Sequence, residues 1–205
     1  MAISFDLFGT LIEADRPTEP STAVKDGLKS SGVSVPSDWK DAYWEHHLSK
    51  PEGAEISLKE HVQAALESRG VQAEESQVDQ ALQEAFDPKV YTRPNARDIV
   101  RWANRQGPVA VCSNCTIPGL VDRSIRRSDI SIDVFDVVIS SSEFGWRKPH
   151  PKIFHKVADE LSVEPSELIH VGDTPDADGG IEDVGGTAIL LTEYNIKEVP
   201  EVLND

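Results

Sequence analysis

A chain of 205 residues with 39% hydrophobic side chains can bury one ordinary core, or a core carrying an insert, and it contains no apolar run of the roughly 18 residues that a membrane span needs. Thirty-six acidic against twenty basic residues leave a formal charge of −16, spread along the chain, which excludes the basic footprint that DNA or RNA binding requires. The same charge gives a solvated acidic surface, whose self-repulsion a salt-rich cytoplasm like that of halophilic microbes would screen.

The first element is a short apolar run, Ala2, Ile3 and Phe5, that ends in Asp6 and turns through Phe8-Gly9-Thr10. No leader-like segment precedes it, so a cytoplasmic protein is expected. Ile12 to Pro20 is polar, carries Pro17 and Pro20, and reads as a loop. Four helices are then predicted. Ser21–Ser31 places Ala23, Val24 and Leu28 on one face before Gly32. Ser37–Lys50 carries Trp39, Tyr43, Trp44 and Leu48. Ser57 and Glu60 form a capping box ahead of the stripe Val62, Ala65 and Leu66, and Gly70 stops that helix. Glu74–Phe86 spaces Val78, Leu82 and Phe86 as a helix does. With no alternating strand between Val33 and Phe86, this stretch is an all-helical insert, bounded at 14–92 within a core formed by 1–13 and 93–205.

Beyond Arg93-Pro94 the pattern changes. Helix Asn95–Arg105 leads to an apolar strand, Val109–Cys112, that ends in Ser113-Asn114. Helix Pro118–Arg127 precedes a strand over Val134–Ile139. A loop, Ser140–Pro149, leads to a helix over Pro151–Leu161. Strand Leu168–Val171 ends in Gly172-Asp173, a short glycine-rich stretch follows, and Thr187–Leu191 is the last strand. Strands alternating with helices give an α/β fold, a parallel sheet with helices on both faces. Cys112 and Cys115 imply no disulfide framework and a reducing compartment. Their C-x-x-C spacing lacks the second pair a zinc site needs, which leaves a redox pair or two small residues at a strand end.

Four polar clusters stand at or just after carboxyl ends of strands: Asp6, Ser113-Asn114, Lys148, and Asp173 with Asp178. Parallel strands bring those ends to one edge, where open α/β sheets bind ligands. Each group has a role in acyl-phosphate chemistry. Asp6 can attack as a nucleophile. Ser113 and nearby amides can hold a phosphoryl oxygen. Lys148 can neutralise charge. Asp173 can hold Mg²⁺ with Asp6 and a backbone carbonyl, while Asp178 orients a water or a ligand.

The segments FDLFGTL (5–11), VCSN (111–114), WRKPHPKIF (146–154) and HVGDTPDAD (170–178) resemble, in order and spacing, the motifs of the haloacid dehalogenase-like hydrolase superfamily. The resemblance covers residues 1–12 and 94–192, and the helical insert falls where that family carries its C1 cap. It implies a Rossmann-like core, a mobile cap, an aspartyl-enzyme mechanism and a small anionic substrate. Thr10 and Asn114 then join Ser113 and Lys148 at the phosphate, the Phe8 carbonyl joins Asp6 and Asp173 at Mg²⁺, and Thr174 joins Asp178 behind them.

Phosphatases of that family carry a second Asp two residues after the nucleophile, which moves protons; this chain has Phe8 there. Relatives that cleave C–halogen bonds have an aromatic residue at this place and Ser-Asn in the second motif, and a halide leaves without a proton. They have usually lost the Gly-Asp that Gly172-Asp173 retains. The expectation is therefore a Mg²⁺-dependent phosphatase. A Mg²⁺-independent 2-haloacid dehalogenase and a non-catalytic binding or regulatory protein are the alternatives. Glu13, Asp15 or a cap residue could replace the missing acid. Blander readings apply elsewhere. Arg147, Asp176, Asp183, Glu143, His61 and His155 read as surface groups, and His170 as a hydrogen-bonded core histidine. The cluster Trp39, Tyr43 and Trp44 reads as cap core, with one ring able to reach substrate. Of the neighbours His46 and His47, helical geometry lets at most one face the substrate.

Overall fold

The structure, a computed structural model, describes residues 1–203; the end of the core predicted at 205 lies outside them. Five parallel strands form one sheet in the order β5-β4-β1-β6-β7, comprising β1 (Ala2–Phe5), β4 (Val109–Ser113), β5 (Val137–Ser140), β6 (Leu168–Gly172) and β7 (Thr187–Leu190). The three central strands are buried along their whole length, because helices cover both faces of a parallel sheet. On one face α5 (Ala96–Asn104) and α6 (Leu120–Arg127) pack Ile99, Val100, Val121 and Ile125 against Ile3, Phe5 and Val111. On the other, α8 (Pro151–Leu161) packs Ile153, Phe154 and Val157 against Ala110, Cys112 and Leu168. Phe5 stands opposite Val111 and Val171, which brings the carboxyl ends of β1, β4 and β6 level.

The insert has a core of its own. Helices α1 (Pro20–Ser30), α2 (Trp39–Trp44), α3 (Leu58–Glu67) and α4 (Glu75–Ala85) bury Val24, Leu28, Trp39, Leu66, Val78 and Leu82 together. Trp39 donates its indole N–H to the Ser21 carbonyl at 2.8 Å, which satisfies the one polar atom of that buried ring. The predicted capping box is present: Ser57 Oγ accepts from Glu60 N, and the Glu60 carboxylate accepts from Ser57 N.

The structure corrects four readings. The loop predicted over Ile12–Pro20 begins as β2 (Ile12–Ala14), paired antiparallel with β3 (Val90–Thr92); three residues give too little alternation to be read as a strand. The second insert helix stops at Trp44 instead of Lys50, where Glu45 turns extended. As a result Trp44 is 62% exposed and lies outside the insert core. The strand predicted from Val134 starts at Val137, preceded by a 3₁₀ turn over Ile132–Val134. The Ser140–Pro149 loop contains a single helical turn, α7 (Ser141–Phe144).

The chain between α2 and α3 reaches back to the core. Arg147 N donates to Gly53 O at 3.0 Å and Glu55 N to Gly145 O at 2.9 Å, so residues 53–55 pair antiparallel with residues 145–147. The Glu55 carboxylate is buried there and accepts from Ser141 Oγ at 2.6 Å, with the Arg147 guanidinium 3.9 Å away.

Candidate active site

The sheet register delivers the predicted groups to one edge. Asp6 follows β1, its N–H bonded to the Val171 carbonyl at 2.9 Å, and its side chain is buried. Lys148 is 2% exposed and places Nζ 3.0 Å from Asp6 Oδ1 and 2.6 Å from Asp178 Oδ1. Asp6, Asp173 and Asp178 each offer a carboxylate oxygen, and these oxygens lie within 4.8 Å of one another. Hard oxygen donors of this kind suit Mg²⁺.

The surrounding charges fit a cation. Burial, then the charge of Asp6, pushes the Asp173 carboxyl above its ordinary value. Burial also works against the charge of Asp178, yet the His170 hydrogen bond and the Lys148 ammonium hold its carboxyl well below the usual range. Burial pulls Lys148 down, but the Asp6 and Asp178 charges outweigh it and keep the ammonium protonated. Burial and Lys148 lower His170, so the ring is neutral. Its Nε2 lies 3.0 Å from Asp178 Oδ1, and its Nδ1 lies 2.8 Å from Ser4 Oγ. A neutral ring that donates to Asp178 accepts from Ser4. With one ammonium among three carboxylates, two negative charges stay uncompensated, the charge of one divalent cation.

Two glycines make room for this cluster. A Cβ on Gly9, whose φ is +90°, would stand 2.4 Å from Asp173 Oδ2, and one on Gly172 would stand 2.1 Å from Asp178. No other residue fits either place.

The remaining predicted residues sit at the site with partners the sequence did not disclose. Ser113 ends β4, and its Oγ is buried with no hydrogen-bond partner among the described residues. Leaving it so costs about 1–3 kcal/mol, which a ligand oxygen or water would recover. Thr10 gives its hydroxyl to Asp173 Oδ1 at 3.2 Å. Asn114 clamps the Lys148 backbone, donating to its carbonyl at 2.9 Å and accepting from its N–H at 2.8 Å. Thr174 contributes its N–H, which bonds Asp178 Oδ2 at 2.8 Å. Asp178 is therefore a fully buried partner of Lys148 and His170. Phe8, half-buried on the turn after Asp6, faces a cavity of about 410 Å³.

The other candidates divide. Arg147, Asp176, Asp183, Glu143 and His155 are exposed, as expected. His61 is half-buried, with Nε2 2.6 Å from the Tyr43 carbonyl. His46 and His47 both line a second cavity of about 420 Å³, because they follow the end of α2 and the helical-face argument does not apply to them. Both cysteines are buried, and burial pushes Cys112 up to about 12 and Cys115 up to about 11, which makes them inert thiols rather than a redox pair. Glu13 pairs with Arg93 at 3.6 Å, and Asp15 lines the first cavity beside Phe8. Glu55 and Ser141 escaped the sequence reading; only tertiary pairing brings them to the Lys148 turn. No described helix is long and apolar enough to cross a membrane.

Comparison with known proteins agrees with this geometry. A family model described as haloacid dehalogenase-like hydrolase matches residues 1–180. The chain is 29% identical over 210 aligned positions to haloacid dehalogenase-like hydrolase domain-containing protein 3 of Bos taurus, covering 92% of this chain and 80% of that one. A shorter segment of 44 residues is 48% identical to glyceraldehyde 3-phosphate phosphatase of Methanopyrus kandleri, covering 22% of this chain and 19% of that one. In fold it resembles a 2-haloacid dehalogenase from Pseudomonas syringae, with TM-score 0.68, 20% identity and coverage of 99% and 97%. It also resembles an enzyme from Bacteroides thetaiotaomicron solved with magnesium and inorganic phosphate, with TM-score 0.59, 17% identity and 92% coverage of each chain.

Proposed function

Because the chain belongs to the haloacid dehalogenase-like hydrolases, we propose that it is a Mg²⁺-dependent phosphatase of a small phosphorylated metabolite, working through an aspartyl phosphate on Asp6. The carrying observation is the charge balance: three convergent carboxylates stand against one buried lysine, which pairs with Asp6 and Asp178, an arrangement that calls for a divalent cation and then for an anionic substrate. Asp6, Asp173 and the Phe8 carbonyl would hold Mg²⁺, which when bound screens the substrate's charge from the nucleophile. Asp6 attacks phosphorus while Lys148 holds its carboxylate in place and neutralises phosphoryl charge. Asn114 fixes the backbone of that lysine. The unpaired Ser113 hydroxyl is available to a phosphoryl oxygen. The helical insert, taken as a cap over 14–92, would select the substrate. Resemblance to the phosphatase of Methanopyrus kandleri supports the reading over a short segment.

Phe8 favours a second reading, C–halogen cleavage, since a halide leaves without a proton. Metal dependence separates the two. Hydrolysis of p-nitrophenyl phosphate that requires Mg²⁺ and is lost in Asp6→Asn supports the phosphatase. Chloride release from 2-chloropropionate in EDTA overturns it.

A further inference from the structure

The cavity beside Phe8 adjoins the turn after Ser113, so it receives whatever part of a substrate lies beyond the phosphoryl group. Phe8, Tyr43, Leu58, Phe86, Ile117 and Leu120 make its walls largely apolar. Its titratable lining is Asp15, Arg16, Tyr43 and Cys115. Burial raises the Tyr43 phenol and lifts the Cys115 thiol to about 11, so neither is tuned to give up a proton near neutrality. Asp15 is exposed, its backbone tied to Lys89 across the β2–β3 pair. The carboxylates of the sheet edge are engaged elsewhere, Asp6 and Asp178 with Lys148 and Asp173 with Thr10. The leaving-group side of the site therefore presents a ring where proton transfer would need an acid.

We infer that the site is built for phosphoryl groups on an acidic oxygen carried by an apolar body, with aryl phosphates as the type substrate and alkyl phosphates turned over poorly. The inference rests on the phosphatase reading above. In the first step a bond forms from Asp6 Oδ to phosphorus as the P–O bond to the aryl oxygen breaks. The electron pair stays on that oxygen, which departs as a phenolate and takes its proton from solvent. Water then cleaves the aspartyl phosphate, releasing inorganic phosphate and a proton and restoring the Asp6 carboxylate. A phenolic oxygen, with a pKa of about 10, can leave in this way; an alkanol, with a pKa of about 16 like that of water, needs help that this wall does not give.

The test measures kcat/KM with Mg²⁺ for p-nitrophenyl, phenyl and 1-naphthyl phosphates, for acetyl phosphate, and for glycerol 3-phosphate. Aryl esters are expected to exceed the alkyl ester by about 100-fold or more, the usual worth of a general acid, with a steep fall as the leaving-group pKa rises. Phe8→Asp should flatten that slope by raising the alkyl ester. Leu120→Asn should raise KM for 1-naphthyl phosphate more than for acetyl phosphate, which lacks the apolar body. Equal turnover of alkyl and aryl esters by the native enzyme overturns the inference, as does alkyl turnover that vanishes in Asp15→Asn. Failure to cleave any phosphate overturns the phosphatase reading instead. The leaving-group series on the native protein stands even if Phe8→Asp does not fold.

Discussion

Lys148 Nζ lies 3.0 Å from Asp6 Oδ1 on a lysine that is 2% exposed, so the proposed nucleophile is held by a buried cation. The same ammonium holds Asp178 at 2.6 Å. Lys148→Met strands two carboxylates. It should cost about 3–5 kcal/mol in chemical denaturation and lower kcat/KM by roughly 100-fold or more. Lys148→Arg should not restore activity, because the planar fork does not fit a site shaped for a point charge.

Gly9 carries a positive φ and lies against the Asp173 carboxylate. Gly9→Ala should cost roughly 1–3 kcal/mol from backbone strain and displace Asp173 as well. Calorimetric titration should show weakened Mg²⁺ binding, beyond what a matched exposed glycine, Gly70→Ala, produces.

Protonation of His170 sets a pH dependence of stability. The unfolded chain takes a proton at this ring below about pH 6.5, whereas the buried native ring resists it. The unfolded state then binds more protons, so stability falls as pH drops below that point and is fully present above it. Asp178, held below its ordinary 3.8, adds a further loss on acidification below that value. Thermal melts from pH 8 to pH 5 at fixed Mg²⁺ should show the first decline, and His170→Gln should flatten it.

Iodoacetamide at pH 8 should leave both thiols unmodified in the native protein and alkylate both in denaturant. Burial keeps Cys112 and Cys115 protonated and out of reach. Mass spectrometry reads the two states directly.

In the proposed mechanism, water attacking the aspartyl phosphate finds Phe8 where a carboxylate would activate it. Rapid mixing with p-nitrophenyl phosphate should therefore give a burst of nitrophenolate approaching one per chain before a slower steady rate. Phe8→Asp should shrink the burst.

The apolar runs of β1, β4 and β6 are continuous because both sheet faces are covered, and that is why the sheet and its polar edge can be read from sequence alone. The β2–β3 pair was not legible, since three residues per strand carry no usable period. The end of α2 at Trp44 was hidden by the i,i+4 pairs Trp39/Tyr43 and Trp44/Leu48, which continue a helical spacing past the point where Glu45 turns extended. The sequence named the residues that gather at this sheet edge, but not their partners. Thr10 turns to Asp173 and Asn114 to Lys148 through contacts that join segments more than thirty residues apart.

The docking of Glu55 has a consequence for the charged edge. Ser141 Oγ donates to the Glu55 carboxylate and accepts from Cys115 N–H at 2.9 Å, while residues 53–55 pair with the backbone just before Lys148. Withdrawing this loop breaks two backbone bonds, bares a carboxylate, and loosens the supports behind Ser113 and Lys148 in one event. The loop therefore buttresses the charged edge from the insert side, because the backbone just before Lys148 is held by the same pairing that buries Glu55.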